Sequence, residues 1–342
     1  MSEIELSILD QSPAVAGGGQ ADAISQTIEM AVHCEALGYK RFWVSEHHGS
    51  ESIVGSAPEI LISAIASRTR TIRVGAAGIM LPHYAPLKVA EQFRVLEAIA
   101  PGRIDLGLGR APGGDGRTAF ALNPSGDQAV ERFPANVRDI VAWTAGKPLI
   151  EGHPLALLLV TPSTPHAPHV FVLGSSDYGA QVAAYLGLPF CFAAFINERG
   201  AEQALEIYRR QYQPSERHRE PHATVCVFAL AADSQDEARR LFNTRARARI
   251  NRDCGVRLPL MAPDEAMKGA SAAETARAEQ LMAQAFVGDG AACAARLRSY
   301  AAGLGIQGLA LLTHAFHVAD RKRSFEILAK EFGLTPPAGV SA

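Results

Sequence analysis

A chain of 342 residues, 48% hydrophobic and 20% charged with a formal net charge of −2, has the balance of an ordinary globular protein and is long enough for one large α/β barrel or two smaller domains. That balance excludes an intrinsically disordered chain and offers no excess of charge for nucleic acid. The longest apolar runs, such as "PLALLLV" at 154–160, are too short to span a bilayer, and "MSEIELSILD" lacks the regions of a signal peptide, so no membrane association and a cytoplasmic location are expected.

Strand-like and helix-like segments alternate along the chain. "IELSILD" (4–10) reads as a strand, and the following helix carries Ile24, Ile28, Ala31 and Glu35 at helical spacing before Gly38 stops it. "RFWVSEHH" (41–48) is the second strand. The helix after it opens with Ser56 and Glu59 at capping-box spacing and Pro58 in the first turn. "TIRVGAAGIML" (71–81) and "RIDLGLGRA" (103–111) are strands separated by the helix "APLKVAEQFRVLEAIAPG". The rhythm continues through strands at 169–176, 189–195 and 224–233, each with its helix, and ends with strand "GLALLTHAF" (308–316) and helix "RKRSFEILAKEF".

About eight strands, each followed by a helix, predict a single (β/α)8 TIM barrel over 1–335, with a doubly wound sheet as the rival and a flexible tail at 336–342. One stretch breaks the rhythm. Val256–Phe286, between the seventh and eighth strands, is longer than an ordinary barrel connection and sits where lids are found.

Two features read as bland. The arginines of "RRLFNTRARARINR" (239–252) have helical spacing and predict a solvated helix face rather than a nucleic-acid surface. The five cysteines are scattered without CxxC pairing, which predicts reduced core thiols.

Catalytic residues of a barrel gather at the C-terminal ends of its strands. There Ala76, Ala77, Gly78, Gly107, Gly109 and Gly174 crowd three neighbouring ends and leave room for a flat ligand. In "LGSSDYG", Ser175, Ser176 and the amides through Tyr178 and Gly179 lie where a strand turns into a helix N-terminus, which suits a phosphate, with Arg110 on the adjacent strand as its cation. A metal site is not expected: adjacent His47 and His48 diverge on a strand, and the pairs His166/His169 and His314/His317 lack an acidic ligand. His47 suits acid, base or hydrogen-bond chemistry instead.

Taken together, "GYKRFWVSEHH", "RTIRVGAAGIMLPHYAPLKVAEQFRVLEAIAPGRIDLGLGRAPG" and "VFVLGSSDYGAQVAAYLGLP" resemble the bacterial luciferase-like flavin monooxygenases, closest to the alkanal-monooxygenase-like oxidoreductases. The resemblance runs from about Leu6 to Phe332. It implies a TIM barrel that uses reduced FMN from a separate NAD(P)H-dependent reductase, and O2, to oxygenate a small organic substrate through a C4a-peroxyflavin. It assigns His47 to catalysis with Glu46 beside it, Ala76–Gly78 to the flavin ring through a cis peptide at Ala77–Gly78, and Arg110, Ser175, Ser176, Tyr178 and Gly179 to the phosphate.

Two positions depart from the family. Gly179 stands where relatives often carry a hydroxyl, and Gly109 stands where the luciferase has a cysteine, so light emission is not implied. Related barrels use the deazaflavin F420 for hydride transfer, and others bind flavin without turnover. The family also implies a homodimer through the helices after the second and third strands.

Overall fold

Side chains along each strand part into two environments, and this alternation builds the molecule. On β2 (Arg41–Val44), Phe42 and Val44 join the layer between strands and helices, while Trp43 turns into the barrel. On β1 (Glu5–Asp10), Leu6 and Ile8 face the helices and Leu9 the interior. Phe171 of β5 (His169–Gly174), Cys191 of β6 (Phe190–Ala193) and Cys226 of β7 (Ala223–Ala232) complete the interior wall. Such period-two division is what a strand covered on both faces requires.

The computed structural model describes residues 4–339; the expected tail at 336–342 falls partly outside them. β3 (Arg73–Met80), β4 (Ile104–Gly109), β8 (Phe286–Asp289) and β9 (Gly308–Leu312) complete a nine-stranded sheet. Its parallel pairings run β1 through β7 in order, then β7 to β9 and β9 back to β1. The ring therefore closes with eight parallel strands, the (β/α)8 TIM barrel that the alternation predicted. The eighth ring strand is β9.

β8 is the strand outside the ring. β7 is ten residues long: its first half pairs with β6 and β9, and its second half leaves the ring and pairs Ala229–Ala232 with Phe286–Asp289. The long connection expected between the seventh and eighth barrel strands is present and larger than predicted. It holds the helices Gln235–Asp253, Pro263–Ala266 and Ala272–Gln284, then β8 and the helix Gly290–Leu304. Leu260 ties it to the first βα loop by backbone bonds with Ala14 and Ala16, each 2.8 Å.

Local expectations fared unevenly. The helix Pro58–Arg68 starts at Pro58 as read, but its N-cap is Ala57 without a side-chain cap, so the Ser56–Glu59 box does not form. Short helices at Gly116–Leu122 and Gly126–Glu131 interrupt the fourth βα connection. Cys34, Cys191, Cys226 and Cys293 are buried free thiols, and Cys254 is exposed. Among the described residues no helix is long and apolar enough to cross a membrane.

The N-terminal end of the barrel is closed by charge. Asp105 is fully buried, accepting from Arg41 Nη1 at 3.1 Å, Arg73 Nε at 2.8 Å and Trp43 Nε1 at 2.9 Å. Burial pushes its carboxyl upward, and Arg41, Arg73, His169 and the Trp43 bond more than offset this, holding it below the usual carboxylate range.

Candidate active site at the C-terminal mouth

A cavity of about 260 Å3 opens at the C-terminal ends of β1 to β7, the face where barrel enzymes place their chemistry. One wall is Ala77 and Gly78 of β3, joined by the cis peptide bond expected there. Small residues are a packing requirement as well as an opening: a Cβ at Gly78 would overlap the Leu173 side chain and stand 2.7 Å from the Gly107 carbonyl oxygen. The β3–β4 register also shifts between Ala76 and Ile79. The floor is Trp43 stacked on Phe171 at 4.8 Å, with Cys191 and Cys226 beside it.

The opposite end is built to receive an anion. Ser176 is the N-cap of the helix Asp177–Tyr185, yet its side chain makes no capping bond. The first-turn N–H groups therefore have no partner within the helix or from the cap. Arg110 lies over the Tyr178 ring at 3.8 Å and makes no ion pair among the described residues. A Cβ at Gly179 would come within 3.2 Å of Gly174 Cα, so the glycine that stands in place of a hydroxyl residue allows strand and helix to pack closely.

"SEHH" divides its labour. His47 lines the cavity, its backbone N–H donating to Gly55 O at 2.9 Å and its Nδ1 3.1 Å from Ser45 Oγ. Burial, then Arg257, Arg252 and His48, lowers it to about 4, so the ring is neutral near pH 7. If the Ser45 hydroxyl donates to Nδ1, the ring proton sits on Nε2.

Glu46 lies behind this wall, fully buried. Its Oε1 accepts from His48 Nε2 at 2.7 Å and Tyr84 Oη at 2.9 Å, and its Oε2 from Met80 N at 2.8 Å. Burial and then Glu46 push the Tyr84 phenol up, which keeps it a donor. Glu46 thus ties β2 to the end of β3 and His48 to both, and of the three ionisable groups only His47 reaches this cavity.

Of the residues singled out from sequence, His47, Ala77, Gly78, Arg110, Ser175, Ser176, Tyr178 and Gly179 line one cavity. Ala76 is buried behind it, as Glu46 is. Trp43 was not foreseen as floor, although its inward position follows from the alternation of β2.

A second cavity, of about 280 Å3, meets the first at His47 and is lined by Arg245, Arg249, Arg252, Arg257 and His314. The solvated helix face expected for 239–252 is corrected here: Arg245 and Arg249 are only 7% and 8% exposed. Spacing held the clue, since 245 and 249 lie one turn apart on one helical face; Arg252, on the same face, lines the cavity but stays exposed. The outward arginines behave as predicted, Arg240 pairing with Asp264 and Arg239 with Glu279. The long insertion borders this second cavity through Val256, Arg257, Leu258 and Leu260 and does not line the first. Among the described residues no group of three or more His, Cys, Asp or Glu is placed to hold a metal ion.

Residues 4–307 match the luciferase-like monooxygenase family. The chain is similar to protein YwcH of Bacillus subtilis, 39% identical over 96% of this chain and 99% of the relative. It is also similar to N-acetyl-S-alkylcysteine monooxygenase of B. subtilis, 40% identical over 72% and 73% of the two chains. Among solved structures, apo-MsnO8 superposes with a TM-score of 0.89 at 32% identity, covering 98% of this chain and 100% of that one. The oxygenating constituent of 3,6-diketocamphane monooxygenase from Pseudomonas putida, in complex with FMN, superposes with a TM-score of 0.70 over 96% and 98% of the chains; at 17% identity it shows the fold alone. The chain belongs to the luciferase-like monooxygenase family.

Proposed function

We propose that the protein is an FMN-dependent monooxygenase that takes reduced FMN from a separate NAD(P)H-dependent reductase and uses O2 to oxygenate a small organic molecule. The observation that carries this reading is the meeting of two cavities at His47, one with a small-residue wall and an anion-receiving end, the other lined by charge. The isoalloxazine would lie against Ala77 and Gly78. The phosphate would take the first-turn amides of the helix Asp177–Tyr185 together with Arg110. Reduced FMN, when bound, supplies the electrons that activate O2 and deliver one oxygen atom to the substrate. The B. subtilis relative, an N-acetyl-S-alkylcysteine monooxygenase, and the FMN held by the more distant barrel support the same assignment.

His47 would do its work as a neutral imidazole. Placed between the two cavities and oriented by Ser45, it can hold or pass a proton at Nε2 at the boundary where flavin and substrate meet. The apolar floor of Trp43, Phe171 and Cys226 limits water beneath the ring. Homodimerisation is part of the proposal: Ile60, Val95 and Ile99, 68%, 47% and 47% exposed, form an apolar strip on the helices Pro58–Arg68 and Pro86–Ile99.

Anaerobic titration with reduced FMN and with reduced F420, followed by admission of O2, tests the cofactor reading. The expected result is saturable binding of reduced FMN and oxygen consumption that rises with substrate. Binding of F420 alone, with hydride transfer and no oxygen consumed, would replace the reading.

A further inference from the structure

The arginine-lined cavity holds more positive charge than the protein neutralises. Arg245 Nη1 faces His314 Nδ1 at 3.2 Å, and its guanidinium lies over the Phe228 ring at 4.9 Å; neither contact supplies negative charge. Arg249 donates from Nη1 to the Phe195 carbonyl at 2.8 Å, while its Nε has no partner. The carboxylate paired with this group is Glu198, 3.7 Å from Arg249 Nη2. Asp253, which could have served Arg252, is bound to Arg277 instead. His314, 3% exposed, leaves its Nε2 unpartnered.

A buried guanidinium without a carboxylate is expensive to keep charged, and folded proteins normally pair it. The strain is visible in the titrating groups: burial, followed by Arg249 and Arg252, lowers Arg245 well below its ordinary value, and burial followed by Arg245 does the same to His314. A core cluster fit only for stability would resemble the one around Asp105. Here the guanidiniums surround open space of about 280 Å3 whose lining also carries the apolar Ile53, Val256 and Leu258, and planar forks facing a cavity match an oxyanion of a ligand.

We propose that the organic substrate is an anion, carrying a carboxylate or sulfonate held by Arg245, Arg249 and Arg252, with its uncharged body directed past His47 toward the first cavity. The location of the reaction rests on the flavin reading above; the capture of an anion does not. The volume, near the lower end of the ~300–1,000 Å3 common for ligand sites, favours a compact molecule. The insertion then acts as a wall of the substrate site, since Arg257 and Leu258 come from it.

The test is calorimetric binding of hexanoate, hexane-1-sulfonate and neutral hexanamide to the full chain without flavin, beside anaerobic titration of reduced FMN. Both acids are expected to bind, the amide at least about 30-fold more weakly, and Arg245→Met to weaken the acids by about 30-fold while leaving the affinity for reduced FMN within about threefold. Discrimination between acid and sulfonate reports which oxyanion the site prefers. Equal binding of acid and amide, or no binding of either acid, overturns the proposal. Loss of reduced FMN rather than acid in Arg245→Met also overturns it and makes the cluster a flavin-phosphate site. If acids bind selectively but reduced FMN does not bind at all, the flavin reading falls and this one stands. Should Arg245→Met not fold, Arg257→Met at the rim is expected to weaken the acids about threefold, and an unchanged affinity would count against the proposal.

Discussion

Both ends of this barrel cluster arginine, and they do so on opposite terms. At the N-terminal end Arg41 and Arg73 converge on the fully buried Asp105, each within hydrogen-bond distance. At the C-terminal end Arg245 and Arg249 face open space, with Glu198 3.7 Å from Arg249 and no carboxylate on Arg245 among the described residues. The first arrangement is complete in itself and serves the fold. The second is complete only with something else present. Charge balance separates a structural cluster from a binding one, and it runs against burial: the paired Arg41 and Arg73 are part-buried, whereas Arg245, without a carboxylate, is only 7% exposed.

The comparison can be broken most severely by removing one charge at each end. Asp105→Asn leaves Arg73 without a carboxylate and Arg41 with Glu5 alone, and is expected to cost about 3–5 kcal/mol in urea unfolding. Arg245→Met removes an uncompensated charge and should leave stability unchanged or raise it by up to about 1 kcal/mol. Equal losses at both ends would mean that the upper cluster is structural.

The boundary between the two upper cavities is probed by His47→Ala, which is expected to lower oxygen-dependent turnover at saturating substrate by about 100-fold or more, with reduced-FMN affinity little changed. Unaltered turnover would remove His47 from the chemistry. Gly78→Ala tests the flat wall: its Cβ would overlap Leu173 and crowd the Gly107 carbonyl. The expected loss is about 1–3 kcal/mol in thermal or urea unfolding together with weaker flavin retention, and a variant as stable as the parent would show that the wall has room to spare.

The smallest effect is in pH. His47 is lowered to about 4 and His169 to about 3, burial being the first cause of each. Both are neutral in the folded protein while the unfolded chain takes up protons below about 6.5. Their contribution to stability is therefore fully present above pH 6.5 and declines as pH falls, to about 4 for His47 and about 3 for His169. His47→Asn should flatten the part of this decline above about pH 4, and an unchanged slope there would mean that His47 is protonated in the folded state.

How much of this was legible without the structure depended on the range of the interaction. Strand alternation and the small residues of "VGAAGIM" are local; they placed the barrel correctly and marked Ala77, Gly78 and the "SSDYG" turn as strand-end residues, which the structure brings to one cavity. Phe286–Asp289 was missed because four residues between Ala-rich helices show no period of their own; they become a strand because β7 runs beyond the ring and offers an edge. Glu46 was expected in the pocket, but Tyr84 and the Met80 amide, distant in sequence, hold it behind the wall. The buried arginines were misread for a related reason. Their spacing was visible, but which face of the helix Gln235–Asp253 turns inward is set by the tertiary fold, and abundant charge on the other face masked it.

The most direct test of the whole account is a crystal structure with FMN and hexanoate bound. The account predicts the isoalloxazine against Ala77–Gly78, the phosphate at Arg110 and the first turn of Asp177–Tyr185, and the carboxylate among Arg245, Arg249 and Arg252, with His47 between the two ligands. A flavin phosphate seated among those three arginines, with the cavity beside Ala77 and Gly78 left to solvent, would contradict it.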